Sequence, residues 1–222
     1  MAVQLDFFKS IAYFAGLNEA ELELVRKHAF EKSVEKGEIV VYEGEPAEAL
    51  YFVASGVLKI FKTSAEGKEQ ILMLVRPGES FNDVPVFEGG QNLASAEAMM
   101  PVTLYGIRKT SFYDILKEHP RVALNAIEVL CQRVTHLVSL VEDLSFRQVT
   151  GRVAKILFEH ARTGGDGKPK LTQQEMAAMA GTAREMVGRS LRVLEDEGTI
   201  RLERHCIIIA NEQALKQEAG IA

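Results

Sequence analysis

The sequence predicts an α+β chain: an N-terminal β sandwich or barrel, one long helix, and a C-terminal winged helix-turn-helix. Three observations carry this. Glycines at 37, 44, 56, 67 and 78 punctuate short β-rich runs. A regular apolar stripe occupies the middle of the chain. Near the end come a helix, a turn at Gly181, a second helix and a β-rich segment.

Residues 1–30 read as helical, with Asn18 and Glu21 forming a capping box for "NEAELELVRKHA". From Lys36 to Arg108 the runs "EIVVY", "LYFVAS", "VLKIFKT", "QILMLV" and "TLYGIR" are strand candidates, and the charged turns between them fit exposed loops. From Arg121 to Ser145 a helix places Ala123, Ile127, Leu130, Val134, Leu137, Val141 and Leu144 at alternating steps of four and three. That is the spacing of a two-helix seam, so a homodimer is expected along it. Beyond it, "VTGRVAKILFEHA" is a helix and "TGGDGKP" a loop. "LTQQEMAAMAG" opens with a Thr172–Glu175 capping box and ends at Gly181; "TAREMVGRSLRVLEDEG" stops at Gly198. "TIRLERHCIIIA" reads as a two-stranded ribbon turning at Arg204–His205. The expected divisions are 1–118, 119–146 and 147–222.

The charge is uneven. Of 222 residues with net charge −5, residues 146–222 hold 12 basic against 10 acidic side chains, and residues 1–145 hold 14 against 21. The contrast suggests two jobs on one chain. No uncharged stretch exceeds ten residues, too short to cross a bilayer, and "MAVQLDFFKS" lacks the pattern of a signal peptide. Two widely separated cysteines, Cys131 and Cys206, point away from a disulfide framework and toward a reducing cytoplasm.

The candidate site is the helix near residue 184. At about 100° per residue, with Arg184 at zero, Gly188, Arg192, Glu185 and Arg189 fall at roughly 40°, 80°, 100° and 140°. Val187, Leu191 and Leu194 fall at roughly 280–340°, on the opposite side. One face is therefore buried, and the other presents three guanidinium groups, a carboxylate and a glycine that admits close approach. An Arg fork bonds guanine O6 and N7, and Glu accepts from cytosine N4. Arg192 suits a phosphate, as do the helix starts at Thr172 and Thr182; Gln174, Arg204 and His205 complete the candidate DNA contacts. Glu185 has a rival role, because Thr182-x-x-Glu185 is also a capping box.

The segments "LTQQEMAAMAGTAREMVGRSLRVLEDEGTI", "LSFRQVTGRVAKIL" and "KGEIVVYEGEPAEALYFVASGVLKIF" resemble the bacterial cyclic-AMP receptor protein / fumarate–nitrate regulator (CRP/FNR) family. The resemblance covers nearly the whole chain. It implies an N-terminal β-roll (a double-stranded β-helix like a cyclic-nucleotide-binding domain), a homodimer, a palindromic DNA site and RNA polymerase as a partner. In the cyclic-AMP branch an Arg-Glu-x-x-x-Arg set reads the DNA. Here that set is Arg184, Glu185 and Arg189, which implies half-sites like TGTGA.

The implied effector pocket comprises Asn82, Asp83, Leu93, Ala94, Arg133, Leu137 and Val138. Where cyclic-AMP binders carry Gly-Glu and then Arg-Ser/Thr, this chain has Asn82-Asp83 and Leu93-Ala94. A buried phosphate would lose its countercharge, so binding of cyclic AMP in the family's usual way is not expected. Leu137 and Val138 offer adenine no side-chain hydrogen bond. An iron–sulfur cluster is not expected without N-terminal cysteines. Haem stays open because His28, His119 and His136 exist, although the carbon-monoxide sensor's ligand region aligns near Ser80–Asp83 without His or Cys. The readings left standing are a regulator with another effector, one with no effector that is controlled by its abundance, and a haem-based gas sensor. A cupin-type metalloenzyme is not expected, because no histidine lies between 29 and 118; no metal site or catalytic residue is assigned. A helix-turn-helix that contacts only protein is the third class weighed. The hinge is expected near Phe146–Val149.

Overall fold

The computed structural model describes residues 5–162, 171–203 and 206–221. The expected loop "TGGDGKP" and the ribbon tip Arg204–His205 lie outside the described residues. The chain divides into two units. The first holds residues up to Lys62 and Met73–His136; the second holds Thr63–Leu72 and Leu137 onward.

The first unit begins with α1 (Leu5–Ser10), a 3₁₀ turn (Ala12–Phe14) and α2 (Glu19–His28). The Asn18–Glu21 capping box forms, with Glu21 N donating to Asn18 Oδ1 at 3.0 Å and Asn18 N to Glu21 Oε2 at 2.7 Å. The helical reading of residues 1–30 runs two residues too far, because β1 (Ala29–Val34) starts at once. "AFEKSV" shows little alternation, and its strand state comes from full pairing with β8 (Val102–Arg108). The other strands are β2 (Ile39–Val41), β3 (Ala49–Ser55), β4 (Leu58–Thr63), β5 (Glu69–Val75), β6 (Ser80–Phe81) and β7 (Ser95–Ala98). They form two four-stranded sheets, ordered β1-β8-β3-β6 and β2-β7-β4-β5. Strand β3 is buried on both faces, with Leu50 and Phe52 in one apolar cluster and Ala49, Tyr51 and Val53 in the other. In β8, Gly106 lies opposite Phe30, and a Cβ there would overlap the Phe30 ring. That glycine lets the ring lie across the sheet.

Short elements that the sequence did not announce complete the roll: β6, β7, α3 (Asp83–Glu88) and α4 (Lys109–Glu118). Strand β7 is "SAEA", whose Ala96 and Ala98 are fully buried; small side chains fit there because neighbouring strands fill the space. One apolar cluster lies among the strands (Val53, Leu58, Val75, Phe81, Leu104). A second, rich in aromatics, joins Phe8, Tyr13, Phe14, Phe52 and Phe112 to Val122 and Ala126 of the long helix.

That helix, α5, spans Pro120–Phe146. The second unit continues with α6 (Val149–Arg162), α7 (Gln173–Ala180), α8 (Arg184–Asp196), β9 (Ile200–Glu203), β10 (Cys206–Ile209) and α9 (Glu212–Glu218). Strands β9 and β10 pair antiparallel as the expected ribbon. Val153, Met176, Ala177, Val187, Leu191, Leu194, Ile200 and Leu215 form the unit's core.

Candidate nucleic-acid interface and sensor site

Helix α7 starts with the expected capping box: Glu175 N donates to Thr172 Oγ1 at 3.1 Å, and Thr172 N to Glu175 Oε2 at 2.6 Å. It ends at Gly181, whose φ of +61° is the left-handed cap that glycine adopts most readily. The turn leads into α8. Its N-cap is Ala183 and makes no side-chain capping bond, so the Thr182–Glu185 box does not form. The N-cap falls one residue later than the motif implies, and Glu185 extends into solvent. Arg184, Arg189 and Arg192 are exposed with it, while Val187, Ser190, Leu191 and Leu194 are buried. The helical arithmetic therefore places both faces correctly. Gly188 sits on the open side, where a Cβ would come 3.7 Å from Gln173 Oε1. Thr172 and Gln174 are exposed and Thr182 is half-buried.

The sensor residues form a second constellation inside the first unit. Asn82 has φ +68°, the one left-handed residue other than glycine among those described, and its Nδ2 donates to Ala49 O at 3.1 Å. It sets the start of α3 and turns Asp83 inward. The Asp83 carboxylate is completely buried. Tyr13 Oη donates to Asp83 Oδ1, Ser80 Oγ donates to the same oxygen at 2.9 Å, and Arg133 Nη1 lies 2.7 Å from Oδ2. Arg133 Nη2 also donates to Ser80 O and, at 2.9 Å, to Ser80 Oγ. Burial pushes the Tyr13 phenol well above its ordinary range, and the adjacent Asp83 charge pushes it further.

Of the expected pocket, then, Asp83 and Arg133 meet directly. Leu93 is 52% exposed, and its carbonyl accepts from Lys62 Nζ at 3.1 Å; Ala94 is half-buried. Leu137 and Val138 are exposed and belong to the second unit. On α5, Ile127, Val134, Leu137, Val141 and Leu144 are all exposed and Leu130 is half-buried. Among the histidines, His28 and His136 are exposed, while His119 Nδ1 lies 3.4 Å from Glu21.

Comparison with known proteins bears on both constellations. Residues 31–119 match the cyclic nucleotide-binding domain, and residues 151–218 match the Crp-like helix-turn-helix domain. The Cyclic AMP receptor protein of Thermus thermophilus is 32% identical over 210 residues, covering 95% of this chain and 97% of that protein. The chain belongs to the CRP/FNR family of transcription regulators. It is a DNA-binding regulator and not an enzyme. The CRP-like cAMP-activated global transcriptional regulator of Mycobacterium tuberculosis is 28% identical, with 93% of this chain and 95% of that protein covered. A solved CRP/FNR-family structure from Eubacterium rectale superposes with a TM-score of 0.80 at 25% identity, covering 96% and 99% of the two chains. FixK2 from Bradyrhizobium japonicum gives 0.77 at 25% identity, covering 87% and 98%.

The regulator also contains site features that helical periodicity did not reveal. Asp143, near the end of α5, is buried and ion-paired: Arg147 Nε donates to it at 2.8 Å, and Lys155 Nζ of α6 bonds its other oxygen. Arg147 Nη1 continues to Ala219 O, and Arg152 Nε donates to Ala180 O at 2.7 Å. These bonds tie the end of α5 to α6, to the end of α7 and to the last turn of α9. Beside them an open cleft of about 560 Å³ is lined by Arg147, Arg152 and Arg189 together with the apolar Val149, Met186 and Val193. The run Arg147–Gln148 was legible as polar, but nothing local said that it would face Arg189. Among the described residues, no helix is long and apolar enough to cross a membrane.

Proposed function

We propose that this regulator acts as a homodimer on a palindrome with TGTGA-like half-sites, and that its cue is not cyclic AMP bound in the family's usual way. One observation carries the DNA reading: α8 buries Val187, Leu191 and Leu194 completely while Arg184, Glu185 and Arg189 are exposed on the opposite face. With that face in the major groove, Arg184 and Arg189 bond guanine edges and Glu185 accepts from cytosine. Arg192, Gln174, the start of α7 at Thr172 and the turn at Thr182 just before α8 hold phosphates. Arg204 and His205, which lie outside the described residues, stay among the proposed DNA contacts.

The exposed apolar side chains of α5 support the dimer, since a helix this apolar needs a partner surface. Two reading helices one DNA turn apart, about 34 Å, then face successive grooves. RNA polymerase is the proposed protein partner, by family likeness. For the effector, the residues present do not fit a cyclic phosphate. Leu93 brings no charge where the family's phosphate binders carry Arg, and Arg133 is already committed to Asp83 and Ser80.

The test is fluorescence anisotropy with a duplex carrying two TGTGA half-sites and with single-base variants. Arg184→Ala and Arg189→Ala should each lose about 1–3 kcal/mol of discrimination at one base pair. Unchanged discrimination in a folded dimer would overturn the assignment.

A further inference from the structure

We infer that Tyr13 serves as an internal ligand of the sensor unit: its hydroxyl, with Asp83 and Arg133, seats α5 on the roll with no small molecule present and closes the site to anions. This inference extends the non-cyclic-AMP reading above and rests on it.

Tyr13 lies on the 3₁₀ turn near the N-terminus and is 1% exposed. The segment is held at both ends. Asn125 of α5 donates through Nδ2 to Tyr13 O and to Ala15 O, each at 2.9 Å. Two helical turns further along α5, Arg133 meets the carboxylate that the Tyr13 hydroxyl also binds. Tyr13 is thus tied to α5 directly through its backbone carbonyl and indirectly, through Asp83, by its side chain. Around Asp83 a phenol and a hydroxyl donate to Oδ1, and a guanidinium is ion-paired with Oδ2. A cyclic phosphate entering here would have to take Arg133 from Asp83 and leave a buried carboxylate beside a second anion. Separating a buried pair in this way is strongly unfavourable. The fold itself supplies what a bound ligand would otherwise supply, namely a charge-complementary link between α3 and α5.

Hydrogen exchange on the full chain tests this. In Tyr13→Phe, which keeps the ring and its packing, amides of α5 near Asn125–Arg133 should exchange about tenfold faster, the effect of losing a hydrogen bond to a charged group. Asp83→Asn should exceed that, and Ser80→Ala should show a smaller rise. A large excess of cyclic AMP should leave both wild-type exchange and wild-type DNA affinity unchanged. Wild-type exchange rates in Tyr13→Phe, or slower wild-type exchange on adding cyclic AMP, would overturn the inference. If Asp83→Asn does not fold, the Tyr13→Phe and Ser80→Ala rates decide. DNA affinity measured on the same samples separates the two claims. A wild type that ignores the palindromic duplex ends the TGTGA assignment, while the exchange rates still judge Tyr13.

Discussion

Asp143 shows how one side chain can hold a junction. Burial opposes its ionisation, yet the Lys155 and Arg147 bonds outweigh burial and keep its pKa below the ordinary 3.8. A carboxyl held low in the folded state stabilises that state above its unfolded pKa, and the benefit fades as pH falls through the lower value. Asp143→Asn should therefore lower stability at neutral pH by about 1–3 kcal/mol, because it leaves Lys155 and Arg147 without their countercharge. Urea unfolding at descending pH checks this: the gap between variant and parent should shrink below pH 4, where the parent's own carboxyl takes up its proton. At Gly181 the constraint is steric. Its φ is +61°, and an added Cβ would sit 2.6 Å from Leu144 Cδ2. So Leu144, expected on the seam, also packs against the turn that orients α8.

Helix α5 does two kinds of work along its length. Val122, Asn125 and Ala126 are buried in the roll's own core, while Ile127, Val134, Leu137 and Val141 stay in solvent. Four large apolar residues exposed along one helix are unfavourable for an isolated chain in water and favourable in a paired one. If the proposed dimer pairs along this face, Val134→Glu should give a monomer in sedimentation equilibrium where the parent gives a dimer, while leaving the circular dichroism of the chain intact. A variant that remains dimeric would show that the subunits meet elsewhere. Helix α8 follows the same logic on a smaller scale, with its buried stripe fixing where its arginines point. Between these helices, the expected hinge at Phe146–Val149 coincides with the break between α5 and α6, and the Asp143–Lys155 pair bridges that break.

For the whole molecule, the net charge of −5 makes non-specific attraction to DNA weak, so affinity must come from a concentrated basic face. Each phosphate contact contributes a slope of about −0.9 to the logarithm of affinity against that of salt. With Arg192 on a phosphate as proposed, Arg192→Ala removes one contact per subunit. It should flatten the slope by nearly two in a dimer and weaken all sequences alike. Titrations from low to moderate salt on specific and random duplexes measure both effects.

The sequence by itself determined the order of the parts, both faces of α8, the apolar stripe of α5, and the caps at Asn18, Thr172 and Gly181. These features repeat within one or two helical turns, so side-chain chemistry and spacing suffice to read them. It missed β1, β6 and β7, whose residues are strand because of what pairs with them. Only the tertiary structure decided that Glu185 does not cap its own helix and that Asp143 reaches Lys155. It alone brought Tyr13, Ser80, Asp83 and Arg133 together, across 70 residues for the Tyr13–Asp83 bond and 53 for the Ser80–Arg133 bond. No local pattern encodes such a meeting, because it follows from closing two sheets and packing a helix against them. A buried charge then persists only where its partners arrive with it.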